Sequence, residues 1–225
     1  MPMKATDPAT DWREIDEWSG GVGWFAHPDE TIQRASHALD VDDGVVLVDP
    51  VDFAGLDDLV AERGGLRGTA VLLNRHTRDA ASIARRHDAP VYVPAFMDDV
   101  IRSLDAEVEP LRRNLPGSEY GVHEVVDNPL WKEAMLYGDE TDTLVVPEAV
   151  GTTSFFLTGA EQLGVHPVLR LTPPRKLGRL SPDRVLVGHG EGVFEDAARH
   201  LRDAISGSRR RAPRLYVKTA REFLL

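Results

Sequence analysis

Gly44-Val-Val-Leu-Val-Asp49 and, further along, Val71-Leu-Leu-Asn-Arg-His-Thr-Arg-Asp-Ala80 decide the reading of this chain. The first is a continuous apolar run that follows the turn signal Asp40-Val-Asp-Asp-Gly44 and closes on an acidic residue. A β-branched run too short for a helix and bounded by turn residues reads as a buried strand fed by a hairpin. The second segment ends a β run over residues 69–73, passes through a polar loop over 74–79 and enters a stretch of helical spacing over 80–87. Residues 90–94, with Val91, Tyr92 and Val93 between two prolines, supply the next strand. Strand, loop, helix and strand make a βα unit.

Working outward, residues 56–62 carry apolar side chains at helical spacing and Gly64-Gly65 stops them, so a first βα unit precedes the second. Residues 12–26 read as an opening strand pair around a glycine-rich turn. The spacing of Val100, Ile101, Leu104, Val108 and Leu111 predicts a helix over 98–113. Short β runs follow at 122–126, 133–137, 143–146 and 184–187. Residues 194–205 and 216–225 read as two helices, and the basic run 208–214 between them reads as a solvated loop. The stretch 152–163 fits neither period. Buried strands are expected at 45–48, 70–73, 91–93, 135–137, 144–146 and 185–187. This order fits one α/β domain over residues 1–225, with two mixed sheets face to face and helices outside.

Formal net charge is -11, from 26 basic and 37 acidic residues. An acidic surface repels phosphate backbones and anionic lipid, which argues against nucleic-acid and membrane partners. The chain has no cysteine, so disulfides, thiolate metal sites and cysteine nucleophiles are excluded and a transition metal would need His and carboxylate ligands. Residues 1–12 lack the apolar core of a signal peptide, and no apolar run approaches membrane-spanning length, so a cytoplasmic location is the default expectation. Ser154 and Ser181 lack the glycine-flanked elbow of a serine nucleophile, and no phosphate-binding or dinucleotide fingerprint is present.

Three segments, in this order and spacing, resemble the metallo-β-lactamase superfamily, of which glyoxalase II-like hydrolases are the plain examples. They are Gly44 to Asp49; Val71 to Ala80 with the helix and strand behind it; and Glu133-Ala-Met-Leu-Tyr137 with Asp142-Thr-Leu-Val-Val-Pro-Glu-Ala149 and Val185-Leu-Val-Gly-His-Gly190. The resemblance implies a four-layer αββα sandwich. It also implies a decayed metal motif. Aligned on Asp79, the family's first two histidines fall on Arg75 and Thr77, and the one after Asp falls on Ala80. No histidine precedes Glu133 where another is expected.

What the resemblance leaves as metal ligands is Asp79, Glu148 and His189, with Arg75, His76, Thr77 and Asp49 lining the cleft. A mononuclear site for zinc or another divalent metal would activate water against an ester, thioester or lactone. That mononuclear site is the alternative to the first reading, a degenerate site without classical dinuclear zinc hydrolase activity and without metal, in which the Arg75 guanidinium neutralises Asp79 or Glu148. A third reading is a non-enzymatic module that binds a small molecule or assembles through the old cleft. His76 stands one place out of register and reads as a loop residue. His27, His37, His87, His123, His166 and His200 read as surface or packing residues, and Trp18, Trp24, Phe25, Trp131, Phe155 and Phe156 as core.

Overall fold

A computed structural model describes residues 3–5, 9 and 11–224, with side chains up to 221. Seven strands form the first sheet in sequence order: β1 (Arg13–Trp18), β2 (Gly21–Phe25), β3 (Ala35–Val41), β4 (Gly44–Val48), β5 (Leu66–Ala70), β6 (Val91–Pro94) and β7 (Val108–Leu111). β1 to β4 are antiparallel, with tight turns between β1 and β2 and between β3 and β4 and a longer loop over 26–34 between β2 and β3, whereas β4 to β7 are parallel. Parallel neighbours need a crossover, and helices supply it: α1 (Leu56–Glu62), α2 (Ala80–Arg86) and α3 (Asp98–Ser103). The second sheet contains β8 (Tyr120–Asn128), β9 (Trp131–Gly138), β10 (Thr143–Val146) and, after the small ribbon of β11 (Val150–Gly151) and β12 (Gly164–Val165), β13 (Arg184–Val187). Its order is β13-β10-β9-β8, with β13 parallel to β10 and the rest antiparallel. A long helix, α4 (Ala197–Leu224), ends the chain.

The period of two within each strand produces the layers. Val46 and Val48 of β4 join Val145 of β10 and Leu186 of β13 in the core between the sheets. Val45 and Leu47, pointing the other way, pack on Leu56 and Val60 of α1 and Ile83 of α2. Likewise Leu144, Val146, Val185 and Val187 face Ala197, Leu201, Ala204 and Ile205 of α4. Helices therefore cover the outer faces of two sheets that share one core, the four-layer αββα sandwich.

Three expectations change. The β run at 70–73 is shifted: β5 begins at Leu66 and its ladder ends at Ala70, after which the chain crosses to the second sheet, where Leu73 bridges Glu133 and Ala134 N donates to Leu72 O. The helix expected over 98–113 stops at Ser103, Leu104 turns extended, and β7 pairs with β6. Pro110 would interrupt a helix for want of an N–H, yet sits at no cost on an edge strand. Finally, the basic run 208–214 is helical, inside one continuous α4 that includes Pro213. Tertiary partners hold it: Ser208 Oγ donates to Arg170 O at 2.9 Å, Arg209 Nε to Leu171 O at 2.7 Å, and Arg211 Nη1 to Glu161 Oε1 at 3.4 Å. Among the described residues no helix is long and apolar enough to cross a membrane.

Candidate metal centre and its cavity

Loops leaving the C-terminal ends of β4, β5, β10 and β13 meet at one edge of the sandwich, where open α/β sheets commonly bind ligands. They bring Asp49, His76, Glu148 and His189 together. Glu148 is central: its carboxylate oxygens lie 3.8 Å from His76 Nε2 and 3.9 Å from His189 Nε2. The two Nε2 atoms are 3.3 Å apart. These three residues offer ligand-type atoms all within 4.8 Å of one another.

Each imidazole is held from behind. His76 Nδ1 lies 3.1 Å from Asp49 Oδ2, and Asp49 Oδ1 accepts from Leu72 N at 2.9 Å. His189 Nδ1 donates to the Ile32 carbonyl at 2.9 Å. That bond requires a proton on His189 Nδ1, and the Asp49 contact favours one on His76 Nδ1. Both Nε2 lone pairs then face the centre, an arrangement typical of metal-ligating histidines oriented by carboxylate or carbonyl. Two lone pairs 3.3 Å apart repel unless a proton or a cation lies between them. Burial and the neighbouring cations hold both imidazoles well below their ordinary pKa, so protonation is disfavoured. The donor set fits one divalent ion, since two imidazoles and a carboxylate form a known catalytic zinc set with positions left open.

Fixed positive charge also enters. Arg75 Nη2 donates to Glu148 Oε2 at 2.7 Å while its guanidinium lies 4.1 Å over the Trp131 ring. Arg78, half-buried, donates to the Ala35 and Asp49 carbonyls at 2.6 Å each and to Gly188 O at 3.2 Å. It ties β3, β4 and the His189 loop together. Burial lowers its pKa to about 10, so it stays charged at neutral pH. Burial raises the Asp49 pKa to about 6, against the pull of Arg78, and raises that of Glu148 against the pull of Arg75.

Asp79, aligned above as a ligand, stands outside the group. Its Oδ2 accepts from Asp52 N at 2.9 Å, and the residue stands at the start of α2 without a side-chain capping bond. His76 takes its place, so the reading of His76 as an out-of-register loop residue is corrected. Counting along a motif fails here because Arg78 turns the loop with φ 39°, and side chains in such a turn do not alternate regularly. Thr77, half-buried, accepts Ala80 N through its carbonyl at the start of α2.

Three further residues were not assigned to the cleft by the sequence argument. Glu133, fully buried on β9, accepts Trp131 Nε1 at 2.7 Å and the amides of Glu148 and Ala149 at 2.8 Å each, which fixes the turn carrying Glu148. Burial raises its pKa to about 7. An acidic residue inside an apolar strand was the available signal. His166, read as a packing residue, has Nε2 3.6 Å from Glu148 Oε1, and burial lowers its pKa to about 3. Its ring lies against Trp131, Phe155 and Phe156. Nothing in the sequence marked His166 or Arg78. Trp24, Phe25, Trp131 and Phe156 are core as expected, and Phe156 also lines, with the half-buried Phe155, a cavity of about 460 Å³ that reaches Glu148 and His189. Its wall is braced from behind by the buried Glu161–Arg170 pair, with Arg170 Nη2 2.7 Å from Glu161 Oε2.

Gly190 completes the centre. Its φ is +96°, and a Cβ there would lie 2.1 Å from Thr152 Oγ1. Glycine alone lets the loop after β13 turn back and present His189.

Solved structures of the same architecture carry the comparison. The metallo-β-lactamase DIM-1 exposed to ceftazidime superposes with a TM-score of 0.61 at 12% identity, covering 90% of this chain and 100% of that one. A metallo-β-lactamase from Pontibacter korlensis gives 0.64 at 10% identity, covering 87% and 99%, and one from Hirschia baltica gives 0.56 at 11%, covering 88% and 98%. The chain has the metallo-β-lactamase fold. No protein-family model matches it, and no curated protein matches it by sequence. On this metallo-β-lactamase fold, the cluster of His76, Glu148 and His189 lies where the sheets' loops converge.

Proposed function

We propose that this metallo-β-lactamase-fold protein is a hydrolase that works with a single divalent metal held by His76, Glu148 and His189, and that it cleaves an ester, thioester or lactone. The observation that carries the reading is the pair of Nε2 lone pairs aimed at a shared centre beside a carboxylate, each imidazole oriented by a hydrogen bond at Nδ1. A second, three-histidine metal position has no counterpart in the motif at residues 75–80, so a dinuclear centre is not part of this proposal.

A divalent ion at this centre would supply Lewis acidity, polarising an acyl carbonyl and making water nucleophilic near neutral pH. The chain does the rest. Asp49 and the Ile32 carbonyl keep the imidazoles in register, and Glu133 locks the backbone that carries Glu148. Arg75 restrains one oxygen of Glu148 and tempers its charge. The aromatic wall of Phe155 and Phe156 excludes bulk water, which strengthens every electrostatic contact inside. Water adds to the acyl carbon, the bond to the alcohol or thiol breaks, and a carboxylic acid leaves.

One observation favours a second reading, a metal-free binding module: the 2.7 Å contact of Arg75 with Glu148 already gives the carboxylate a cation. Zinc titration of chelator-treated protein, read by elemental analysis after dialysis, separates the two. Wild type should retain about one equivalent, and His76→Ala and His189→Ala should each retain far less, because losing one of three protein ligands collapses affinity. Retention equally low in all three proteins would rule out the metal site.

A further inference from the structure

The cavity beside the centre is chemically one-sided. Ile32, Phe155 and Phe156 form apolar walls, and Glu148, His166 and His189 make the polar end of a space of about 460 Å³. That is the size of a small-molecule site. Among the described residues lining it there is no lysine or arginine. The nearest guanidinium at the polar end, that of Arg75, is already engaged with Glu148 and stacked over Trp131. Without metal, a ligand carboxylate entering here would be desolvated against aromatic rings and would face the Glu148 carboxylate, while the Lys218 ammonium at the rim is already held by the Ser154 and Leu157 carbonyls.

The polar end nevertheless carries a donor of defined direction. Val168 N donates to His166 Nδ1 at 3.2 Å, which puts the ring proton of the neutral imidazole on Nε2. His166 Nε2 lies 3.6 Å from Glu148 Oε1, longer than a hydrogen bond, so the proton is directed at the cavity end without a close acceptor there. Trp131, Phe155 and Phe156, with ring centroids 4.8 to 5.4 Å from that of His166, hold the imidazole in place.

We propose that this cavity takes the uncharged, apolar acyl chain of the substrate and that His166 Nε2–H donates to its acyl oxygen, so that the protein selects neutral acyl compounds against those carrying a carboxylate on the chain. The inference rests on the hydrolase reading above for what is cleaved, but its test needs no turnover. Binding of butanamide, hexanamide and octanamide, and of suberamate, which carries a carboxylate at the far end of an eight-carbon chain, is measured calorimetrically on the full chain with and without zinc. Dissociation constants of the neutral amides should fall about fourfold per methylene. Suberamate should bind the zinc-free protein at least about tenfold more weakly than octanamide, because its charge is then buried without a partner. His166→Phe keeps the ring and should weaken octanamide about tenfold while leaving the chain-length slope unchanged. Phe155 is only half-buried, so Phe155→Ser should fold and should flatten the slope. A slope absent in wild type, suberamate as tight as octanamide on the zinc-free protein, or an unchanged octanamide constant in His166→Phe would each overturn the inference. An intact slope without zinc binding would sink the metal-dependent hydrolase and leave the ligand class standing, whereas zinc binding with a flat slope would do the reverse.

Discussion

Glu148 sits among three imidazoles that burial keeps neutral, and a single guanidinium, Arg75, touches it at 2.7 Å. Arg75 and a metal would therefore compete for the same carboxylate. Arg75→Ala should tighten zinc binding about tenfold, the equivalent of one modest charge–charge interaction. The same change should lower metal-free stability by only about 1 kcal/mol, since the Arg75 side chain is 39% exposed and solvent screens the pair. Adding Glu148→Gln should recover part of that loss in urea melts; no recovery would mean that Arg75 acts through its stacking on Trp131. Glu133 is the second decisive residue. Glu133→Ala strands three donors, Trp131 Nε1 and the amides of Glu148 and Ala149, and should cost about 2 to 5 kcal/mol in urea unfolding. Glu133→Gln should cost less because one oxygen still accepts.

At the scale of elements, α4 contains the clearest conflict between local preference and tertiary demand. Pro213 removes one helix hydrogen bond and crowds the preceding turn, yet the helix runs through it because docking on β13 and β12 and the contacts of Ser208, Arg209 and Arg211 with Arg170, Leu171 and Glu161 outweigh the local cost. Pro213→Ala should consequently stabilise the protein by about 1 to 3 kcal/mol and raise Tm by several degrees. A lower Tm would mean that a bend at Pro213 is needed to seat the C-terminal half of α4. The edge strand β7 makes the converse point. Val100, Leu104, Val108 and Leu111 satisfy a helical pattern, but only residues 98–103 are helical, because pairing with β6 offers the second half a ladder that the pattern does not register.

Over the whole molecule, the sheet-to-sheet core is what unites two halves that are separate in sequence. Leu136 on β9 is fully buried in that core with Val46, Val48 and Leu186. Leu136→Ala should cost about 2 to 5 kcal/mol, the range for a cavity in a well-packed interior, and should appear as one cooperative shift of the urea midpoint by both fluorescence and circular dichroism. Leu130→Ala, at a residue 84% exposed, should change stability by less than about 0.5 kcal/mol. Two separated transitions in the Leu136 variant would show that the sheets fold as independent units.

The sequence by itself determined the layers. Runs such as Val45-Val-Leu-Val48 and Arg184-Val-Leu-Val187 are too short and too apolar to be anything but strands buried on both faces, and the helical stretches between them dictate parallel crossovers. It also marked Glu148, His189 and Asp49, each just past a strand end, and Arg75 in the loop after β5. Tertiary structure alone chose the remaining partners. The left-handed turn at Arg78 put His76, and not Asp79, with Glu148 and His189; the chain's crossing from β5 to β9 set Glu133 beneath Glu148; and the fold-back around β11 and β12 brought His166 to the same carboxylate. Loop dihedrals and contacts between residues far apart in sequence leave no periodicity to read, so these side chains become a site only when the two sheets close on one another.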